Sequence, residues 1–366
     1  MNQHYLKMTN IEQGSQEWLQ ARQNKIGGSE IFSLVIHYCK KELEAMNFDL
    51  KEEKSFRSVQ EMFMKLCLGA KMPLIDPMNS QFGNGMEEYV AHRLQEALPE
   101  IDVQRSKSFL DGKDLHELAA CSPDGYIYIK DNHKLHDFDN TCEIDSSWGE
   151  GMLELKTANF FANFGAENGS KLSYIFQTQY NMMIRKNKWG LLAVLVSKEK
   201  SCDDAFLKGQ ILEKARNNKY DEMNQYYDFY YYIYPELPAF QAMIIKSLKL
   251  FHEDVERYLA GDQSAFPRNS EDLKALEREK IMWGQVWPEH FGERQLDEED
   301  ELNKLLEERN IAKEENMFAE QAFRKIENEI LSLIKQRGYD KFIKIHGFGH
   351  RVQFQSNGIR FYKNKK

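Results

Sequence analysis

Ser122-Pro123-Asp124-Gly125 and, thirty residues after Asp124, Leu153-Glu154-Leu155-Lys156 decide how this sequence is read. Both stretches sit in strand-like surroundings. In Glu154-Leu155-Lys156 the acid and the base are two residues apart, so on a strand they share one face while Leu155 points into a core. An Asp at the end of a neighbouring strand would meet Glu154, and two carboxylates bind a hard divalent cation through oxygen. Lys156 would hold or activate a water, or neutralise charge developing on a phosphate. These are the parts of metal-assisted phosphodiester hydrolysis. Each half is also ordinary structure elsewhere: Asp-Gly after Pro is a turn signature, and E-x-K pairs occur on many exposed strands. On the residues alone both readings stand.

Working outward, short strands are expected at Val103–Leu110, Ala119–Ala120, Tyr126–Ile129 and Met152–Leu155, with a polar loop or extended hairpin over Asp131–Gly151. Leu172–Lys186 has helical spacing. Trp189–Ser197 contains the longest apolar run, Gly190–Val196, which suits a buried strand and falls far short of the ~20 residues of a membrane span. Upstream, Ser15–Val35 reads as two short helices around Gly27-Gly28, with Ser29 as an N-cap and Trp18 in the core. Further helices are expected at Ser55–Leu68, Asn84–Leu98 and Phe240–Ala260. Tyr226–Tyr234 reads as a strand rather than a base-stacking platform. The mixture predicts an α/β core with a central mixed sheet flanked by helices.

The chain has 366 residues, 42% of them apolar, which excludes a mainly disordered protein. Its N-terminus has no signal-peptide pattern, and a cytoplasmic setting is expected. The five cysteines are scattered and form no CxxC, against a zinc ribbon, a disulfide framework or an iron–sulfur cluster. A net charge of −9 does not exclude a DNA enzyme, because local patches matter more than totals. Lys341–Lys366 carries seven Lys/Arg and no Asp or Glu. Two domains are expected, 1–268 and a C-terminal extension 269–366. The extension would hold a long helix over about 297–337, from a 3-4 spacing between Leu302 and Leu333, and a basic β-hairpin from Phe342.

Five ordered blocks resemble the phage lambda-type exonuclease, or YqaJ-like viral recombinase, branch of the PD-(D/E)xK nuclease superfamily. They are Glu12-Gln13-Gly14 with Trp18, Arg22 and Ile26–Glu30; Phe82–Glu87; Ala120–Gly125; Leu153–Lys156; and Gln177–Tyr180, continued by Arg185–Asn187. The resemblance covers about residues 10–260. It implies a restriction-endonuclease-like core and a metal-dependent exonuclease, working 5′→3′ on double-stranded DNA ends to leave 3′ single strands for recombination. The alternative is an endonuclease of the same fold in repair or defence. By this resemblance Asp124, Glu154, the Leu155 carbonyl and Glu87 would hold Mg²⁺, with Mn²⁺ as a substitute. Lys156 would orient or deprotonate the attacking water, and Gln177 would support Lys156 or the scissile phosphate. Arg22, Ser29 and Ser122 would bind a terminal 5′-phosphate. A single-strand annealing protein and a homotrimer are the partners implied, with no membrane. The long Asp124–Glu154 interval and the Asp131–Gly151 insertion depart from the family pattern.

Overall fold

Trp189–Ser197 is buried along its whole length, as an unbroken apolar run must be when both faces of a strand are covered. Around it the computed structural model describes residues 9–12, 15–50, 53, 56–73, 77–106, 108–136, 142–162, 164, 169–267, 275, 278–279, 281–282, 285, 344–347, 350–355 and 358–363. The chain divides into two compact units, Met1–Pro288 and Glu289–Lys366.

In the first unit the elements run β1 (Thr9–Glu12), α1 (Gln16–Gln23), α2 (Gly28–Ala45), α3 (Val59–Leu68), α4 (Pro77–Ala97), β2 (Ile101–Arg105), β3 (Ser108–Asp111), β4 (Ala120–Cys121) and β5 (Gly125–Ile129). They continue with β6 (Lys134–His136), β7 (Glu143–Asp145), β8 (Gly151–Ala158), α5 (Leu172–Arg185), β9 (Trp189–Ser197), α6 (Ala205–Arg216), β10 (Tyr227–Pro235) and α7 (Pro238–Leu259). The central sheet has the order β10-β9-β8-β5-β2. Only the β8–β9 pair is parallel; the other three are antiparallel. The expected α/β core, a mixed sheet flanked by helices, is the one present.

One face of the sheet packs Leu153, Leu155 and Leu191 against Met86, Val90 and Leu94 of α4 and Ile211 of α6. The other face carries α5, and α2 and α7 pack on α5 in turn. Helix α7 buries Ile244, Leu248, Phe251 and Val255, spaced at three and four residues.

Several expectations change in detail. The α2 helix starts at Gly28 with Gly27 as its N-cap, and Glu30 closes the capping box, so Ser29 lies in the first turn instead of capping it. The helix runs on to Ala45, well past Val35. Val103–Leu110 is two strands in two sheets: β2 joins the central sheet, whereas β3 lies between β1 and β4. The break falls at Ser106, whose N–H turns to the Asp124 carbonyl at 3.1 Å. Asp131–Gly151 contains the β6–β7 hairpin. Helix α6 had no counterpart in the sequence reading. Arg278 binds Glu61 on α3 at 2.7 and 2.9 Å, and Met282 is buried with Met64 and Ala70, so chain beyond 268 belongs to the first unit's packing.

Within the second unit, β11 (Lys344–Gly347), β12 (His350–Gln355) and β13 (Gly358–Lys363) form a three-stranded antiparallel sheet, one strand more than the expected hairpin. The expected 297–337 helix lies outside the described residues.

Gly125 follows Asp124 at the start of β5, and an added Cβ would sit 2.5 Å from the Gln104 carbonyl oxygen on β2. A backbone oxygen cannot rotate away. Gly125→Ala is therefore expected to destabilise the protein by about 1–3 kcal/mol in urea unfolding; an unchanged midpoint would mean that β2 and β5 separate without cost.

Candidate active site

Antiparallel pairing of β5 with β8 puts Gly125 opposite Leu153, which brings the preceding Asp124 beside Glu154. The Leu155 N–H donates to Asp124 Oδ2 at 2.8 Å, so the two halves of the motif are joined directly. Alternation along β8 then sends Leu153 and Leu155 into the α4 core and turns Glu154 and Lys156 toward α5.

Glu154 is only 2% exposed. Its Oε1 accepts hydrogen bonds from Lys156 Nζ and Gln177 Nε2, and its Oε2 accepts from Asn181 Nδ2 at 3.1 Å. Gln177 and Asn181 are one helical turn apart on α5 and present one face. Gln177 thus reaches the carboxylate that Lys156 also holds. Asn181 was absent from the sequence reading, although its i+4 spacing from Gln177 was a usable signal. Its Oδ1 is buried without a hydrogen-bond partner and would lie 2.5 Å from a Cβ on Gly28. The first residue of α2 therefore has to be glycine for α5 to approach.

Burial is the largest influence on Glu154 and pushes its carboxyl up to about 7, with the charges of Asp124 and Glu87 adding to the rise and Lys156 opposing it. Burial alone would lower the Lys156 ammonium; the carboxylates of Glu154 and Asp124 outweigh it and hold Lys156 above its ordinary range. Lys156 Nζ also stands 5.7 Å from the Tyr174 ring centroid.

Glu87, on α4, opens into the same cleft and pairs with Arg105 Nη2 at 2.5 Å. Arg105 also donates to the Asp124 carbonyl, and so bridges Glu87 to the Asp124 turn. Arg105 was another residue the sequence did not single out. Among the described residues no three acidic, His or Cys side chains converge as a ready ligand cluster. The donor set nonetheless suits a hard cation. Oxygen donors from Asp124 and Glu154 adjoin, and Glu154 is a buried carboxyl that resists ionisation, a cost that a divalent ion relieves.

The second group, Arg22, Ser29 and Ser122, lines the same cleft of about 1060 Å³ as Glu87, Asp124, Glu154, Leu155, Lys156 and Gln177. Trp18 is not in the core. It is half-buried, its Nε1–H donates to Ser122 Oγ at 3.1 Å, and the Arg22 guanidinium stacks 4.7 Å from its ring centroid. An indole with a polar edge suits that rim better than an apolar interior.

A group whose folded pKa lies above its unfolded value gives stability at low pH that is lost as pH rises through the folded value. For Glu154 that window runs from its ordinary 4.5 to about 7, while Lys156 stays charged throughout. In chelator, unfolding stability should fall by up to about 3 kcal/mol from pH 4.5 to pH 8 through this group. Glu154→Gln should flatten that part of the curve; an unchanged slope would show that Glu154 ionises normally.

Residues 17–188 match the model of the YqaJ-like viral recombinase domain, a range that holds Arg22, Ser29, Glu87, Ser122, Asp124, Glu154, Leu155, Lys156 and Gln177. No curated protein matches the chain. Similar solved structures include an alkaline exonuclease, LHK-Exo, from Laribacter hongkongensis, at 14% identity over 69% of this chain and 100% of that one, with a TM-score of 0.40. LHK-Exo in complex with dAMP is similar at 14% identity over the same shares, with a TM-score of 0.39. In the described residues no helix is long and apolar enough to cross a membrane. Over residues 17–188, just under half of the chain, the sequence is similar to the YqaJ-like viral recombinase domain.

Proposed function

We propose that this protein is a metal-dependent DNA exonuclease that degrades the 5′ strand of double-stranded ends and leaves 3′ single strands. One observation carries the reading: Asp124, Glu154 and Lys156 open into the same cleft as Arg22, Ser29 and Ser122. The first group suits phosphodiester hydrolysis and the second suits a terminal phosphate. The YqaJ-like domain supports the same reading. A cleft that both grips an end and cuts beside it favours exonuclease over endonuclease.

Asp124, Glu154 and the Leu155 carbonyl would hold Mg²⁺, or Mn²⁺ in its place, with Glu87 adding an oxygen by exchange from Arg105. The cation would supply Lewis-acid stabilisation of charge on the phosphate. The chain's own residues do the rest. Lys156, held as an ammonium by two carboxylates, donates hydrogen bonds that orient the attacking water and steady a phosphate oxygen. Gln177 and Asn181 fix the Glu154 oxygens so that the carboxylate does not swing. Arg22 offers a planar fork for a phosphate, and Ser29 and Ser122 offer short hydroxyl donors. The 3′ strand would pass to a single-strand annealing partner, and self-association as a ring would keep the enzyme on DNA.

The test uses linear duplex with 5′-phosphate, the same duplex with 5′-hydroxyl, and a closed circle, each with Mg²⁺. Mononucleotides should be released from the phosphorylated linear duplex, and Lys156→Ala should lower that rate at least about 100-fold. Nicking of the circle at a comparable rate would show an endonuclease instead.

A further inference from the structure

The connection between α1 and α2 is clasped by buried charges to which no role has yet been given. Glu30 is 4% exposed, and its Oε2 accepts the Gly27 N–H at 2.7 Å. The same oxygen lies 3.5 Å from Lys65 Nζ on α3, and that ammonium also donates to the Lys25 carbonyl at 2.6 Å. One side chain therefore grips both ends of the turn from Lys25 to Glu30. Tyr180, on α5, ties the middle: its hydroxyl donates to the Ile26 carbonyl at 2.8 Å and accepts the Ala120 N–H at 3.2 Å. Ala120 is on β4, two residues before Ser122, so the turn and Ser122 are fixed to one another.

Arg22 rests against this turn. A Cβ on Gly27 would lie 2.5 Å from Arg22 Nη2 and 3.5 Å from Glu30 Oε2, so the guanidinium packs onto a bare backbone carbon with Glu30 close by. Among the described residues the guanidinium has no hydrogen bond or ion pair. Glu30 does not neutralise it by direct contact, because Lys65 and the Gly27 amide already occupy the carboxylate. Burial would raise the Glu30 carboxyl, but the charges of Lys65, Arg22 and Arg57 and the Gly27 amide keep it below its usual range. Burial lowers the Lys65 ammonium, and the Glu30 carboxylate opposes that fall, so each group of the pair steadies the other's charge beneath the Arg22 guanidinium, which stacks on Trp18.

We propose that Glu30 and Lys65 are positioning residues of the strand-end pocket, fixing the 25–30 turn so that Arg22, Ser29 and Ser122 together distinguish a 5′-phosphate from a 5′-hydroxyl. This rests on the end-pocket reading given under Proposed function. The discrimination needs a rigid pocket, because a phosphate is told from a hydroxyl by several short contacts made at once.

The experiment measures kcat and KM of the full-length protein on 5′-phosphorylated and 5′-hydroxyl duplexes in Mg²⁺. The wild type should prefer the phosphorylated end at least tenfold in kcat/KM. Glu30→Gln, which keeps shape and loses charge, and Lys65→Met should each lower that preference at least fivefold, mainly through KM for the phosphorylated end. A general loss of folding would lower both substrates in parallel and leave the ratio alone, so an unchanged ratio in both variants overturns the proposal. A wild type with no preference overturns the end pocket itself and is recognised before any variant is made. Should either variant not fold, amide exchange on the wild type in Ca²⁺ decides: the phosphorylated duplex should slow exchange at residues 27–30 and the hydroxyl duplex should not. Equal protection by both ends contradicts the proposal.

Discussion

A carboxylate placed where water barely reaches it is the constraint around which the first unit is arranged. Glu154 sits in the middle of β8, 2% exposed, and an isolated charge there would cost several kcal/mol in lost hydration. The surroundings offset that cost with the Lys156 ammonium on the same strand face and two amide groups from one face of α5, whereas the adjoining Asp124 carboxylate adds to it. Each fixes a piece of architecture. Lys156 must be two residues along the strand, α5 must lie flat on β8, and β5 must pair in the register that sets Gly125 opposite Leu153.

The close approach of α5 has further consequences. It requires glycine at position 28, since a side chain there would press on Asn181. That brings the N-terminus of α2, with Ser29 in its first turn, to the cleft that contains Glu154. Tyr180, on the same helix, ties the α1–α2 turn to β4 and hence to Ser122. One helix thus steadies both the Glu154 side of the cleft and the side where Ser29 and Ser122 lie.

Much of this was legible in the sequence where the pattern was locally complete. Trp189–Ser197 is a strand because nothing polar interrupts it before Ser197, and Leu172–Arg185 is a helix because its buried face recurs at helical spacing. That Glu154 and Lys156 share one face was legible because their two-residue spacing on a strand fixes it. What failed were features decided by distant partners. Helix α6 buries only Lys208, Ile211 and Ala215 and exposes Phe206, so its apolar pattern is thin. Arg105 and Lys65 gain meaning from partners that the fold brings to them, among them Glu87 and Asp124 for Arg105 and Glu30 and Lys25 for Lys65. Trp18 was placed in the core on its apolar bulk, whereas its indole N–H and its face both serve the cleft rim.

The central claim is that one cleft holds the cation beside Asp124 and Glu154 and the strand end beside Arg22, Ser29 and Ser122. The most direct measurement is a crystal structure of the protein with Mn²⁺ and a short 5′-phosphorylated duplex, using Lys156→Ala to prevent turnover. The account predicts anomalous density touching the Asp124 and Glu154 oxygens and the 5′-phosphate within hydrogen-bonding distance of Arg22. Manganese bound elsewhere, or a 5′-phosphate lying outside the cleft, would contradict it.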